Sequence, residues 1–260
     1  MAAHSSLPDV PWSAFKHSDK PILFVAGDFF VYVHRKSDEY GNRRIRNGQV
    51  NSYKDLLDYY EKYPIEKQDF TGLTHSYLST GVSHGTMNLM PLLVKSGLDV
   101  HYRHASNLTQ EDLEAYNIIF VGPLKTLRIL KPYFEKTHFE FDLYPHVLTV
   151  KEESDTTNLK VFNAEIESGL QYRKDYGFVI QVPGPADNTI MIITAFSTVV
   201  LPSLTELLQT GEFNSIIQQP TSPESFPNYF KVLLQVDIIS DTIVHSLVEF
   251  SEIPLVTIPL

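Results

Sequence analysis

Three stretches of this chain are apolar at nearly every position, and each stops on small or turn-forming residues. Pro21-Ile22-Leu23-Phe24-Val25-Ala26 runs into Gly27-Asp28, Ile118-Ile119-Phe120-Val121 into Gly122-Pro123, and Ile190-Met191-Ile192-Ile193-Thr194-Ala195 into Phe196-Ser197-Thr198. A strand without a polar face is buried on both sides, which points to a parallel sheet covered by helices. Helical patterns between these strands complete the alternation and imply right-handed crossovers. The expected fold is α/β: a three-layer, doubly wound, mostly parallel sheet with an antiparallel, β-rich C-terminal edge. Such sheets take ligands at the carboxyl ends of their strands.

Local signals divide the chain further. Residues 1–20 are polar, carry Pro8, Pro11 and the single tryptophan Trp12, and read as a leader or linker. Trp12 is either an anchor on the body or a remnant of a lead into another domain. Residues 21–260 read as one α/β domain, with a β-rich insertion at about 138–182 and a hairpin at about 229–251 whose tip lies near Ser240-Asp241. Ser52 caps a helix over 53–63, and Pro64 ends it. Ser83 reads as the cap of a helix running to Lys95, with Met87, Met90, Leu93 and Val94 as its buried stripe and Pro91 as a kink. Thr109 and Asp112 have the spacing of a capping box. A helix is expected over 125–134, and others over 200–209 and 212–218. The stretch 219–228 reads as a loop.

The residues count 31 acidic against 21 basic, a formal charge of −10, so a phosphate backbone is repelled on average and nucleic-acid binding is excluded. The basic cluster Arg43-Arg44-Ile45-Arg46 reads as a solvated turn or a local anion site. The chain has no cysteine, which removes disulfides, thiolate nucleophiles and cysteine-ligated zinc together. The N-terminus does not read as a signal peptide, and no run of about 18 apolar residues is present to span a membrane. The expected location is cytoplasmic. No cofactor or metal is implied: GxxxxGK[ST], GxGxxG, HExxH and GxSxG are all missing.

Four turns are expected to meet at one rim of the sheet: Gly27 to Phe29, Thr80 to Gly85, Gly122 to Thr126 and Phe196 to Thr198. From these come the candidate ligand-binding residues Asp28, Ser83, His84, Gly122, Lys125, Thr126 and Ser197. Hydroxyls at helix starts, free backbone N–H groups and the Lys125 cation would suit a polar or anionic ligand. Each has a plain alternative. Ser83 and Thr126 also read as caps, and Asp28 as an acceptor within its own turn. His75 or His84 has the chemistry of a general base but no matched nucleophile. His101 and Arg103 share one face of a strand, Tyr102 and His104 the other. Asp175 reads as a ligand-orienting group or a turn anchor.

The segments Pro21–Phe30, Arg46–Leu56, Leu108–Leu127, Asp175–Phe196 and Tyr229–Val236, taken in order, resemble a family of bacterial domains often found C-terminal to a winged-helix or other output module. The resemblance spans about residues 21–236. It implies a Rossmann-like fold, reminiscent of half of a periplasmic-binding-type sensor, and a sensing role more than a reaction. That family places small residues after its last central strand, whereas this chain has the bulky Phe196 there. About twenty residues before Pro21 leave no room for a winged helix, so the chain reads as a free-standing relative or a segment cut from one. Three functions follow as expectations. The first is a regulatory domain that binds a small polar or anionic ligand and signals through a protein partner or a homodimer. The second is an enzyme acting on a nucleotide or sugar phosphate, with Asp28, His84 and Lys125 in its site. The third is a protein-interaction module, drawing on the aromatic residues.

Overall fold

The computed structural model describes residues 7–35, 41–151, 159–166, 172–210, 212–217, 226–239 and 242–252. The hairpin tip at Ser240 and Asp241 and most of the polar stretch 219–228 lie outside them.

After a short helix α1 (Ser13–Lys16), the Gly27-Asp28 break splits one apolar run between two sheets. β1 (Ile22–Ala26) enters the main sheet. β2 (Phe29–His34) instead pairs antiparallel with β3 (Arg43–Ile45) and β4 (Phe70–Tyr77) in a small sheet. Helices α2 (Tyr53–Lys62) and α3 (Pro64–Lys67) lie between β3 and β4. Ser52 caps α2, accepting from the Asp55 N–H, and Leu56 and Tyr60 bury against Phe30, Tyr32 and Val50 in a core of their own. Leu57 of α2 and Tyr63, which follows that helix, stay exposed, although the sequence offers Leu56, Leu57, Tyr60 and Tyr63 together as an apolar stripe.

The chain continues through α4 (Thr80–Lys95), β5 (Val100–His104), α5 (Gln110–Ala115), β6 (Asn117–Pro123), α6 (Lys131–Glu135), β7 (Phe139–Leu143), β8 (His146–Lys151), β9 (Leu159–Asn163), β10 (Tyr172–Pro183), β11 (Thr189–Ala195), α7 (Leu201–Thr210), α8 (Glu212–Ile217), β12 (Phe230–Ile239) and β13 (Thr242–Glu252). The main sheet has seven strands in the order β13-β12-β10-β11-β6-β1-β5. Pairing is parallel from β5 through β1 and β6 to β11, and antiparallel from β10 outward. The molecule is thus mixed α/β with a partly parallel sheet. β10 belongs to that sheet rather than to an insertion, and within residues 138–182 only β7, β8 and β9 form a separate antiparallel sheet.

Strand alternation divides the core between the two faces. Ile22, Phe24 and Ala26 of β1 pack with Val82, Leu89 and Leu93 of α4 and with α7. Leu23 and Val25 pack on the other face with Leu113 of α5 and Phe134 of α6. Each such side chain larger than alanine contributes roughly 1.5–3 kcal/mol on full burial. The N-terminal residues join the first of these cores: Leu7, Val10, Trp12 and Phe15 are buried, and the Trp12 indole N–H donates to the Leu208 carbonyl at 3.1 Å.

Two helices differ from the sequence reading. Ser79, not Ser83, caps α4, and Ser83 sits one turn inside, its Oγ donating to the Ser79 carbonyl at 3.1 Å. The buried face is Val82, Gly85, Leu89 and Leu93, which leaves Met87 and Val94 exposed. Gly85 contributes to this: a Cβ there would lie 3.0 Å from Val121 Cγ1, so a side chain at this position would require α4 or Val121 to give by a few tenths of an ångström. The helix expected over 125–134 is two 3₁₀ turns followed by α6, because Arg128 takes a left-handed φ of 47° that interrupts the α path. Among the described residues no helix is long and apolar enough to cross a membrane.

Candidate functional site

Parallel pairing brings the carboxyl ends together. Ala26 is in register with His104 on one side and Val121 on the other, and Ala195 with Pro123. The turns that follow therefore share one rim. Between β1 and β6 the rim is closed by backbone: a Cβ on Gly27 would lie 2.7 Å from Gly122 Cα, and Thr126 Oγ1 would be closer still. The Gly27 N–H also donates to the Val121 carbonyl at 2.8 Å, which extends the ladder past the strand. Gly122 and Thr126 are thus packing residues. The Thr126 hydroxyl donates to the Pro123 carbonyl at 2.9 Å.

Two buried carboxylates fix the neighbouring turns. Asp28 accepts from the Ser106 N–H at 2.8 Å and from the Ser106 hydroxyl at 2.6 Å, tying the end of β1 to the turn after β5. His104 Nδ1 stands 3.7 Å from Asp28 and 3.1 Å from the Ser76 hydroxyl. Asp175 does the equivalent work on β10. It accepts from the Ser197 N–H at 2.9 Å, from the Ser197 hydroxyl at 2.7 Å and from the Tyr176 N–H at 2.7 Å. Burial pushes its pKa up to about 6 against the opposing pull of these donors. The turn-anchoring alternative describes both residues, except that each anchors a turn distant in sequence.

The open part of the rim lies beyond β6 and β11. A cavity of about 210 Å³ is lined there by Phe29, Lys125, Phe196, Ser197, Thr198 and Val199, and by Leu143, Tyr144 and His146 of the β7–β8 hairpin, with Ile166 beside them. The Lys125 ammonium sits 4.7 Å from the centroid of the Phe29 ring. Burial, and then the nearby Arg46 guanidinium, hold its pKa below the usual lysine value. Among the described residues no carboxylate lies within ion-pairing distance of Lys125. An anion entering the cavity would therefore meet a half-buried cation with no carboxylate partner among the described residues, beside the Thr198 hydroxyl, while the Ser197 hydroxyl is held by Asp175.

Of the seven candidate residues, Lys125 and Ser197 line this cavity. Asp28, Gly122 and Thr126 lie buried below the rim, Ser83 is inside α4, and His84 is exposed on that helix. Neither Asp28 nor His84 lines the cavity with Lys125. Phe29 and Thr198 were flagged only as members of their turns and Arg46 only as part of the basic cluster, whereas Tyr144 and His146 were missed. Tyr144 and His146 arrive by the folding of a hairpin that has no local signal for its position. Among the described residues no group of three or more His, Asp or Glu side chains is placed to hold a metal. Compared with protein-family models, curated proteins and solved structures, the chain matches none.

Proposed function

We propose that this chain is a regulatory domain that binds a small polar or anionic molecule in the cavity beyond β6 and β11, on a doubly wound, Rossmann-like scaffold. The observation that carries the reading is Lys125: a half-buried ammonium with no carboxylate partner among the described residues, lining a cavity with Ser197 and Thr198. Supporting the scaffold, the helices before and after β5, α4 and α5, pack on opposite faces of the sheet, so the chain reverses direction at β1 and opens a crevice at the carboxyl ends. Here Gly27 and Gly122 close the crevice at the reversal itself, and the ligand takes the adjoining space.

A thermal-shift screen with orthophosphate, sugar phosphates and nucleotides tests this. A ligand that binds only the folded state stabilises it by about 2.7 kcal/mol at a hundredfold excess over Kd. At least one compound is expected to raise Tm, and Lys125→Gln is expected to abolish that rise while leaving the ligand-free Tm within a few degrees. A panel that leaves the wild-type Tm unmoved refutes the reading.

One observation favours a second reading, a protein-interaction module. The outer face of α4 carries an exposed apolar groove of about 440 Å³ lined by Thr86, Met87, Met90, Pro91, Val94 and Lys95. That reading predicts no small-molecule shift at all.

A further inference from the structure

The outer face of the small sheet holds a second concavity, of about 490 Å³, lined by Val31, Arg44, Arg46, His75 and Tyr77. Alternation accounts for it: Ile45 faces the small core, so Arg44 and Arg46 face the other way. Phe29 connects this groove to the rim cavity. Its ring lies 4.7 Å from the Lys125 ammonium and 5.6 Å from the Arg46 guanidinium, and 5.3 Å from the ring of Tyr77. Lys125 and Arg46 are thus within about 10 Å of each other, one Debye length at moderate salt.

In a chain of net charge −10, Lys125, Arg44 and Arg46 stand together without an ion pair among the described residues. Arg46 spends its donors on neutral oxygens, the carbonyls of Asn47 and Val50 and the Asn51 side chain. Asp28 is near enough to act on Arg46 through space, but both its oxygens already accept from Ser106. The cavity alone is below the roughly 300–1,000 Å³ of sites that enclose a drug-sized ligand. Phe29 lines the cavity and contacts Arg46 and Tyr77, which line the groove, so a molecule longer than the cavity can reach the arginines across this ring.

Resting on the reading of the cavity as an anion site, we propose that the ligand is a small molecule of polyphosphate type, one anionic group held at Lys125 and a second across Phe29 at Arg44 and Arg46. Calorimetric titration with orthophosphate, pyrophosphate and tripolyphosphate tests it on the whole chain. Linking two anionic groups is expected to make tripolyphosphate bind at least about tenfold more tightly than orthophosphate. Arg44 is exposed, so Arg44→Gln should leave the fold intact, weaken tripolyphosphate about fourfold and leave orthophosphate within about twofold, whereas Lys125→Gln should weaken both.

Orthophosphate binding that needs Lys125, with tripolyphosphate no tighter or indifferent to Arg44, overturns this inference and leaves the cavity reading standing. Tripolyphosphate binding that needs Arg44 but not Lys125, or no anion binding at all, overturns both. An oligothymidylate that binds more tightly than tripolyphosphate overturns the small-molecule identity.

Discussion

Asp175 is the residue whose chemistry departs furthest from its sequence appearance. Its side chain is wholly buried, and its pKa of about 6 lies above the ordinary 3.8. Between those two values the folded chain keeps a proton that the unfolded chain has released, so this group's contribution falls as pH rises from about 4 to about 6. Above pH 6 the ionised form costs about 3 kcal/mol relative to pH 4, from a difference of roughly two pKa units. Asp175→Asn is expected to flatten that part of the stability curve, measured by urea unfolding at pH 4.5 and pH 7. Equal slopes in variant and wild type would mean that Asp175 does not hold its proton in this window. Asp28 has the same task, holding Ser106 in place. Sequence marked both aspartates as turn or ligand residues, since an acid beside a strand end is visible. Their partners, 78 and 22 residues away in the chain, were not.

At the scale of elements, capping was legible and facing was less so. The Thr109–Asp112 box forms as its spacing demands, because both partners lie within one turn. Ser52 caps α2 for the same reason. The frame of α4 was misjudged because Met87 and Val94 look like core by composition, while Gly85, which sits at the close approach to β6, looks like a breaker. The N-terminal segment is the clearest case of an element defined by its neighbours. Trp12 is fully buried and bonded to a carbonyl of α7, 196 residues away. Trp12→Ala is expected to cost about 3–5 kcal/mol in equilibrium denaturation, since it removes a large side chain and strands the Leu208 carbonyl. A loss below about 1 kcal/mol would show that the segment adds nothing to the core.

For the whole molecule, the sheet order sets a gradient of protection. β1, β6 and β11 are paired on both edges and buried on both faces, whereas β3 and β9 are outer strands of small sheets, with Val161 of β9 exposed. Hydrogen exchange followed by mass spectrometry should find the slowest amides in β1, β6 and β11, and exchange in β9 faster by orders of magnitude. Comparable rates in β6 and β9 would contradict the strand order.

What the sequence determined by itself is the set of doubly buried strands, their capped helices and the small residues that end them. These are local consequences of hydrophobic period, backbone freedom and short-range hydrogen bonding. Tertiary structure alone decided that one apolar run serves two sheets, that the crevice between β1 and β6 closes on paired glycines, and that Lys125, Phe29 and Arg46 meet beside a hairpin loop. Those outcomes depend on which surfaces pack together, and packing is settled by volumes and contacts between segments far apart in the chain.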